Sequence, residues 1–140
     1  MKSVTILCIS LLPLVGIANA NSEVVIITHP DNQQQLDEST LNRIFLGKDL
    51  FYPNGDKATP VQLDGSVASH QEFVDKFIGK SPKQFNAYWA RMVFTGKAPM
   101  PATMASDDDM KATVAKDKSA IGYIDSSAVD DSVKVVMTLP

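Results

Sequence analysis

The sequence predicts an α/β fold in which helices flank a small mixed sheet. Short apolar runs rich in β-branched residues alternate with amphipathic segments in the order β, α, β, α, α, α, β, β, and such alternation is typical of layered α/β domains. The chain of 140 residues is long enough for one compact core and too short for two. The only cysteine is Cys8, near the N-terminus, so an apolar core rather than disulfide bonds has to hold the domain together.

The first twenty residues are predicted to be a cleavable secretory signal peptide. Lys2 gives a basic start, residues 4–17 form an apolar run, and Ala18-Asn19-Ala20 has the small-residue pattern of a cleavage site. The predicted mature domain therefore covers residues 21–140 and is exported. No later segment approaches the ~20 apolar residues that a membrane span requires, so we expect a domain that does not span the membrane.

The charge pattern argues against nucleic acid as a partner. The formal net charge is −3, and loss of Lys2 from the 13 basic residues leaves 12 against 16 acidic ones. No run of basic residues and no interleaving of basic with aromatic residues occurs in the sequence. Because proteins that bind nucleic acids need a basic surface for the phosphate backbone, this class is excluded.

The first half of the mature chain is predicted to form a strand, a helix and a turn. A β-branched run at residues 24–28 predicts the first strand, which ends at Pro30 because proline cannot donate to a β-ladder. Asp37 is the predicted N-cap of a short helix that ends before Gly47. Residues 51–57 contain proline and Asn-Gly, which predict a surface turn.

A strand that runs into a helix is predicted at residues 60–73. Residues 60–63 form the strand, Asp64 and Gly65 a tight turn, and Ser66 the N-cap of a helix that buries Phe73. The first N–H groups of a helix have no intrahelical acceptor, and the helix dipole places partial positive charge there, so a small anion is a natural ligand. The same residues also fit an ordinary serine cap that binds no ligand.

A long amphipathic helix follows. Ser81-Pro82 combines a serine cap with proline at the first helical position, which is the preferred place for each. Apolar residues recur between positions 85 and 93 at the spacing of one helix face, and Gly96 ends the helix. Residues 98–105 contain two prolines and are predicted to form a loop.

The last predicted helix begins with three consecutive carboxylates. Ser106 is its N-cap, and residues 107–109 are all aspartate. These residues could hold a metal ion, but the spaced ligands and glycine of a calcium loop are missing, and acidic residues stabilise a helix N-terminus. We therefore predict no metal and no cofactor. Residues 120–124 and 133–137 are predicted to be the last two strands.

Six stretches share their order and spacing with a known protein family. They are Ile44-Phe45-Leu46-Gly47-Lys48, Asn54-Gly55, Asp64-Gly65-Ser66, Tyr88-Trp89, Phe94-Thr95-Gly96-Lys97 and Ala120-Ile121-Gly122-Tyr123-Ile124. Together they resemble the phosphate-type periplasmic substrate-binding proteins of ABC importers, in particular a short single-domain branch. The resemblance implies one lobe of the type II periplasmic-binding fold, a location in the periplasm, phosphate or a related oxyanion as ligand, and an ABC importer membrane complex as partner.

The resemblance also indicates the binding loop. Family members commonly carry R-x-D-G-S-G-T in the second anion-binding loop, whereas this chain has Gln62 in place of the arginine and Val67-Ala68 in place of Gly-Thr. The other lobe of the family, with its own anion-binding loop, has no counterpart here. Carried over residue by residue, the resemblance implies ligand binding by Asp64, Gly65, Ser66, Val67, Ala68 and Ser69.

The neighbourhood of this loop gives further expectations. Without the arginine, Asp64 is expected to lack a neutralising partner and to repel a dianion. His70 is expected to be a solvated surface histidine. Lys48 and Lys97 each follow a glycine that ends a helix, and we expect them to favour the carbonyl ends of those helices rather than a pocket.

Two functions remain open from the sequence. The first is a periplasmic solute-binding domain for phosphate or a similar oxyanion that serves an ABC importer. The alternative is a periplasmic protein-interaction or regulatory module derived from a binding-protein lobe, with little or no anion binding. An enzyme is not predicted, because the mature chain has no cysteine nucleophile and its two histidines, His29 and His70, lie in separate segments. A homodimer that places two binding loops face to face is a further hypothesis.

Overall fold

The structure, a computed structural model, describes residues 23–140. The predicted signal peptide, residues 1–20, lies outside the described residues. Within residues 23–140, five strands and four α-helices form a layered α/β arrangement. The strands are β1 (Val24–Thr28), β2 (Thr59–Leu63), β3 (Ala102–Met104), β4 (Ala120–Asp125) and β5 (Lys134–Thr138). The helices are α1 (Glu38–Phe45), α2 (Ala68–Phe73), α3 (Pro82–Phe94) and α4 (Asp107–Lys116), and α2 continues as a π-helical turn over Val74–Ile78.

The sheet is mixed, which confirms the predicted fold class. Its strand order is β3-β2-β4-β1-β5. β2 runs parallel to β3 and β4, whereas β1 runs antiparallel to β4 and β5. Val24 pairs with Asp125 of β4, and Val25 pairs with Thr138 of β5. The first strand of the described residues, β1, therefore lies inside the sheet, between β4 and β5.

The core is apolar and centred on β1 and β4. All five residues of β1 are buried, as expected for a strand that is covered on both faces. An aromatic cluster covers one face of the sheet: Phe73 stacks on Tyr123 with ring centroids 3.7 Å apart, and Phe45 packs edge-on against Phe73 at 4.9 Å. Burial of large side chains of this kind is the main stabilising term of a domain without disulfides.

One strand was missed by the sequence analysis. Residues 98–105 were predicted to be a loop, but Ala102–Met104 form β3, which pairs in parallel with β2 from Val61 to Leu63. Three residues carry too little local signal to predict a strand. Pairing with β2 supplies the backbone hydrogen bonds that the segment lacks on its own.

The predicted helix starts and ends are otherwise largely confirmed. Asp37 caps α1, Ser81 forms a full capping box with Gln84, and Ser106 caps α4. The ends of α1 and α3 match each other closely, since each passes through a left-handed glycine, Gly47 at φ 66° and Gly96 at φ 69°.

At both of these ends the lysine after the glycine closes the helix with its backbone. Lys48 N donates to Arg43 O at 2.9 Å, and Lys97 N donates to Met92 O at 3.0 Å. Among residues 23–140, no helix is long and apolar enough to cross a bilayer.

Candidate functional site

The predicted binding loop connects β2 to α2 at the carboxyl end of β2. The parallel strands β2 and β3 both end there, and Asp64 N donates to Met104 O at 2.8 Å, which ties the loop to the end of β3. The carboxyl ends of parallel strands are where ligands of open α/β sheets usually bind. The location of the loop in the fold therefore suits a binding site.

Ser66 does not cap the helix, so that prediction was wrong. The helix begins at Ala68, and its N-cap is Val67, which makes no side-chain cap bond. Ser66 instead donates twice to Asp64 Oδ1, from its backbone N at 3.0 Å and from Oγ at 2.6 Å. Both donations direct Ser66 toward the carboxylate two residues upstream, and together they form a local turn that precedes the helix. In this state the Ser66 hydroxyl has only lone pairs left for a ligand.

The same turn occurs at three other places within residues 23–140. Asp117, Asp125 and Asp130 each accept hydrogen bonds from the backbone N and the Oγ of the serine two residues later, and these serines are Ser119, Ser127 and Ser132. The bonding between Asp64 and Ser66 is thus a recurrent local turn. It forms without any requirement for a ligand.

Asp64 forms no salt bridge within residues 23–140, as expected, but Ser66 satisfies its carboxylate through hydrogen bonds. The bonds from the Ser66 side chain and backbone lower the pKa of Asp64 below its usual value. The carboxylate therefore stays ionised near neutral pH. An ionised carboxylate only accepts hydrogen bonds, so it disfavours a fully deprotonated anion beside it and favours one that carries a proton.

Backbone donors remain available in the loop. Val67 N bonds to Asp64 O, and His70 N bonds to Val67 O. The N–H groups of Gly65, Ala68 and Ser69 have no acceptor within residues 23–140. These are the groups that the loop can offer to an anion.

Ser69 makes its side-chain bond elsewhere. It is buried, and its Oγ donates to Asp107 Oδ2 at 3.3 Å. Asp107 also accepts from Asp125 N at 3.4 Å, so the first carboxylate of α4 links the helix to the loop and to β4. Within residues 23–140, no three His, Cys, Asp or Glu side chains are grouped so that they could hold a metal ion.

His70 is buried rather than solvated, which is a second correction. Only 1% of the residue is exposed, and its Nδ1 lies 2.6 Å from the Tyr123 hydroxyl. That hydroxyl also accepts from Leu63 N at 3.0 Å, so it bridges the end of β2 and His70. Burial lowers the pKa of His70 and raises the pKa of Tyr123. His70 is therefore a neutral structural residue near neutral pH and adds no positive charge to the loop.

Gln62 lies on β2, just before the loop. It is half-buried on β2 opposite Thr103 of β3. Its side-chain Oε1 is buried and has no hydrogen-bond partner among the described residues. A polar atom left in this condition costs free energy, so the position favours a residue or a ligand that can satisfy it.

Lys48 and Lys97 lie together at another part of the surface. Both line an open concavity of about 510 Å³ between the ends of α1 and α3. No residue of the loop from Asp64 to Ser69 lines it. These lysines were expected to favour the carbonyl ends of their helices rather than a pocket, but both line this concavity, while their backbone N–H groups close the helix ends.

The fold is similar to that of solved phosphate receptors. No protein-family model and no curated protein matches the sequence significantly. An ABC-type phosphate transport receptor from Vibrio cholerae superimposes on 83% of this chain with a TM-score of 0.65 at 20% sequence identity. PstS from Borrelia burgdorferi superimposes on 82% with a TM-score of 0.63 at 15% identity.

The chain spans less than half the length of these receptors. The superposition covers 46% of the Vibrio cholerae protein and 46% of the Borrelia burgdorferi protein. At these identities the similarity establishes the fold and nothing finer, since one fold serves many functions. The five-stranded sheet and its helices thus correspond to about one lobe of a receptor of this kind.

Proposed function

We propose that this chain is a periplasmic solute-binding domain that binds phosphate or a related oxyanion and serves an ABC importer. The observation that carries the proposal is the similarity in fold to phosphate receptors over more than four-fifths of the chain. The proposal includes removal of residues 1–20 as a signal peptide and a single mature domain over residues 21–140.

The proposed site is the loop of Asp64, Gly65, Ser66, Val67, Ala68 and Ser69. In the proposal, the free N–H groups of Gly65, Ala68 and Ser69 donate to the oxyanion, and Ser66 turns its hydroxyl from Asp64 to the ligand. Asp64 then accepts a hydrogen bond from the hydroxyl group that a phosphate ion keeps near neutral pH. Sulfate carries no such proton, so the proposed loop prefers phosphate over sulfate.

The affinity is expected to be lower than that of a loop that contains arginine. A charge-assisted hydrogen bond contributes about 1.5 to 3 kcal/mol, which corresponds to roughly ten- to a hundredfold in affinity. Gln62 cannot supply this charge. The variant Gln62→Arg is therefore expected to bind phosphate more tightly by roughly that factor.

Isothermal titration of the purified protein with phosphate and with sulfate, at low and moderate salt, tests the proposal. We expect heat from phosphate, less from sulfate, and weaker binding in Ser66→Ala. The matched control is Ser132→Ala, because Ser132 makes the same bonds to Asp130 in a turn outside the proposed site. Absence of heat and of thermal stabilisation at millimolar phosphate, in Gln62→Arg as well as in the parent, would contradict an oxyanion site at this loop.

A dimer would supply the missing half of a cleft. The solved receptors are more than twice as long as the matched region, so a second copy of this chain with its loop opposite the first is part of the proposal. Sedimentation with and without phosphate measures this directly. A monomeric mass at high micromolar concentration in both conditions would remove the dimer from the proposal and leave the loop to bind alone.

A second candidate role is a periplasmic protein-interaction module. The observation that favours it is the bonding of Ser66, whose hydroxyl is engaged by Asp64 in the same way as in three turns that no ligand requires. A negative titration with phosphate would make this role the leading one.

A further inference from the structure

The ends of α1 and α3 meet at a basic concavity. Tyr88 of α3 donates its hydroxyl to Leu46 O at 2.5 Å, which joins the two helices at this point. The concavity between them has a volume of about 510 Å³. Its charged lining residues are all cations, Arg43, Lys48, Arg91 and Lys97.

Three of these cations have no partner within the described part of the chain. Arg43 is engaged, because its Nε and one terminal nitrogen donate to the carboxylate of Asp49 at 2.9 and 3.0 Å. Lys48, Arg91 and Lys97 are exposed and form no ion pair with any carboxylate of residues 23–140. Backbone N–H groups already close the helix ends, so the lysine ammonium groups are free for an external anion.

Exposed apolar side chains are concentrated around the same concavity. Of the six large hydrophobic residues exposed in the described chain, all but Val135 lie in residues 50–51 and 93–100. Phe94, at the end of α3, is 92% exposed. A smaller apolar concavity, lined by Leu50 and Met100 among others, shares Gly47 with the basic one. A soluble monomer has little reason to gather apolar side chains in this way.

We propose that this surface, residues 43–51 and 91–101 and here called the basic face, docks an acidic segment of a partner protein. The carboxylates of the segment would pair with Lys48, Arg91 and Lys97, and the apolar side chains of the segment would pack on Phe94 and Met100.

The positive charge of the basic face is local, because the chain as a whole carries a net charge of −3, and it complements the negative charge of an acidic segment. The surface is concave, which suits a protruding segment better than a flat bilayer. Aromatic and arginine side chains beside each other are typical of interface centres. The proposal does not depend on the oxyanion site.

The probe for a first test is a short synthetic peptide in which glutamate alternates with leucine and phenylalanine. We expect it to shift the backbone amide resonances of the basic face, and not those of Asp64 to Ser69, in nuclear magnetic resonance titrations. Lys48→Ala with Lys97→Ala is expected to weaken binding by roughly three- to thirtyfold, because two exposed ion pairs are lost. The matched control is Lys83→Ala with Lys116→Ala, two exposed lysines that do not line the basic face.

The apolar contribution is tested separately. Phe94→Ser should weaken binding of the same peptide while leaving the salt dependence of that binding unchanged. Val135→Ser is the control, because Val135 is the exposed large hydrophobic residue of the described chain that lies outside the basic face. A photo-reactive residue at position 94, compared with one at position 83, would identify the partner in cells. Only a cross-linked partner peptide that is acidic supports the proposal.

Several results would overturn the proposal. Equal peptide affinity in the two lysine variants would show that the basic face is not the docking surface. Binding to vesicles of phosphatidylglycerol and phosphatidylcholine, lost in the Lys48 and Lys97 variant and accompanied by no peptide binding, would assign the surface to a membrane instead. Shifts of the same amides by inorganic phosphate alone, without peptide binding, would make it a small-anion site.

Discussion

At the scale of single residues, the bond between His70 and Tyr123 ties three elements together. Tyr123 lies on β4, and its hydroxyl accepts from the backbone of Leu63 at the end of β2 and shares a hydrogen bond with Nδ1 of His70 on α2. The loop from Asp64 to Ser69 is held between the two residues that this hydroxyl joins. A buried hydrogen-bond network of this kind fixes the position of the loop and is costly to break.

The buried histidine predicts how stability depends on pH. Burial lowers the pKa of His70 in the folded state, so the unfolded chain takes up a proton at a higher pH than the folded one. The contribution to stability is complete above the ordinary histidine pKa of about 6.5 and is lost as pH falls below it toward the lowered value. Chemical denaturation at several pH values between about 7.5 and 5 should show this decline, and His70→Gln should flatten it.

The control for this prediction is His29→Gln, which changes the other histidine and leaves the bond to Tyr123 intact. If the decline is the same in the parent and in His70→Gln, the buried histidine is not its source.

The sequence did not predict the hydrogen-bond partners of individual side chains in the loop. A helix was predicted correctly after the turn at Asp64 and Gly65, but it begins at Ala68 rather than directly after Ser66. The bond from Ser66 to Asp64 and the burial of His70 against Tyr123 depend on rotamers and on strand packing that no local pattern records. The location of the loop was therefore predictable, whereas the direction of its hydrogen bonds was not.

At the scale of secondary-structure elements, the matching ends of α1 and α3 give a natural comparison. Both Gly47 and Gly96 have positive φ, but their surroundings differ. A Cβ atom added to Gly47 would lie 2.7 Å from Cη2 of Trp89, whereas one added to Gly96 would meet no atom within 4 Å. The two positions thus separate backbone strain from steric overlap.

We predict that Gly96→Ala lowers the free energy of unfolding by about 1 to 2 kcal/mol, because a residue with a Cβ atom is strained in the left-handed conformation. Gly47→Ala should cost roughly 2 to 4 kcal/mol, since overlap with the Trp89 ring adds to the same strain. Urea denaturation of both variants measures the difference. Equal losses would mean that the Trp89 ring moves aside freely.

The helix ends also show what the sequence can predict at this scale. Asp37, Ser81 and Ser106 were predicted as caps, and all three accept the expected backbone bonds. Capping depends on residues within one turn, so the sequence contains the necessary information. The meeting of two such ends in one basic concavity was not predicted, because Lys48 and Lys97 are far apart in the chain.

At the scale of the whole molecule, Trp89 reports on the integrity of the core. It is the only tryptophan of the chain and is 2% exposed. If residues 23–140 unfold as one cooperative unit, tryptophan fluorescence and far-ultraviolet circular dichroism should give the same denaturation midpoint. A fluorescence midpoint at lower denaturant than the circular dichroism midpoint would show that α3 leaves the core first.

The overall architecture was predictable in kind but not in order. The fold class was predicted from the alternation of apolar strands and amphipathic helices, and the mixed sheet confirms it. The order β3-β2-β4-β1-β5 was not predictable, because which strands pair is decided by packing across the whole chain. β3 shows the same limit, since its three residues become a strand only beside β2.

The place of β1 in the sheet affects how the chain can fold during synthesis. β1 is made well before β4 and β5, the two strands that flank it, which lie within residues 120–138. Until they emerge, an uncharged apolar segment, Val24–Thr28, has neither edge covered and is open to wrong pairing with other chains. Contacts between such distant parts of a sequence also slow folding. The native sheet therefore cannot close around β1 until β5 has been made, and this strand needs protection from wrong pairing until then.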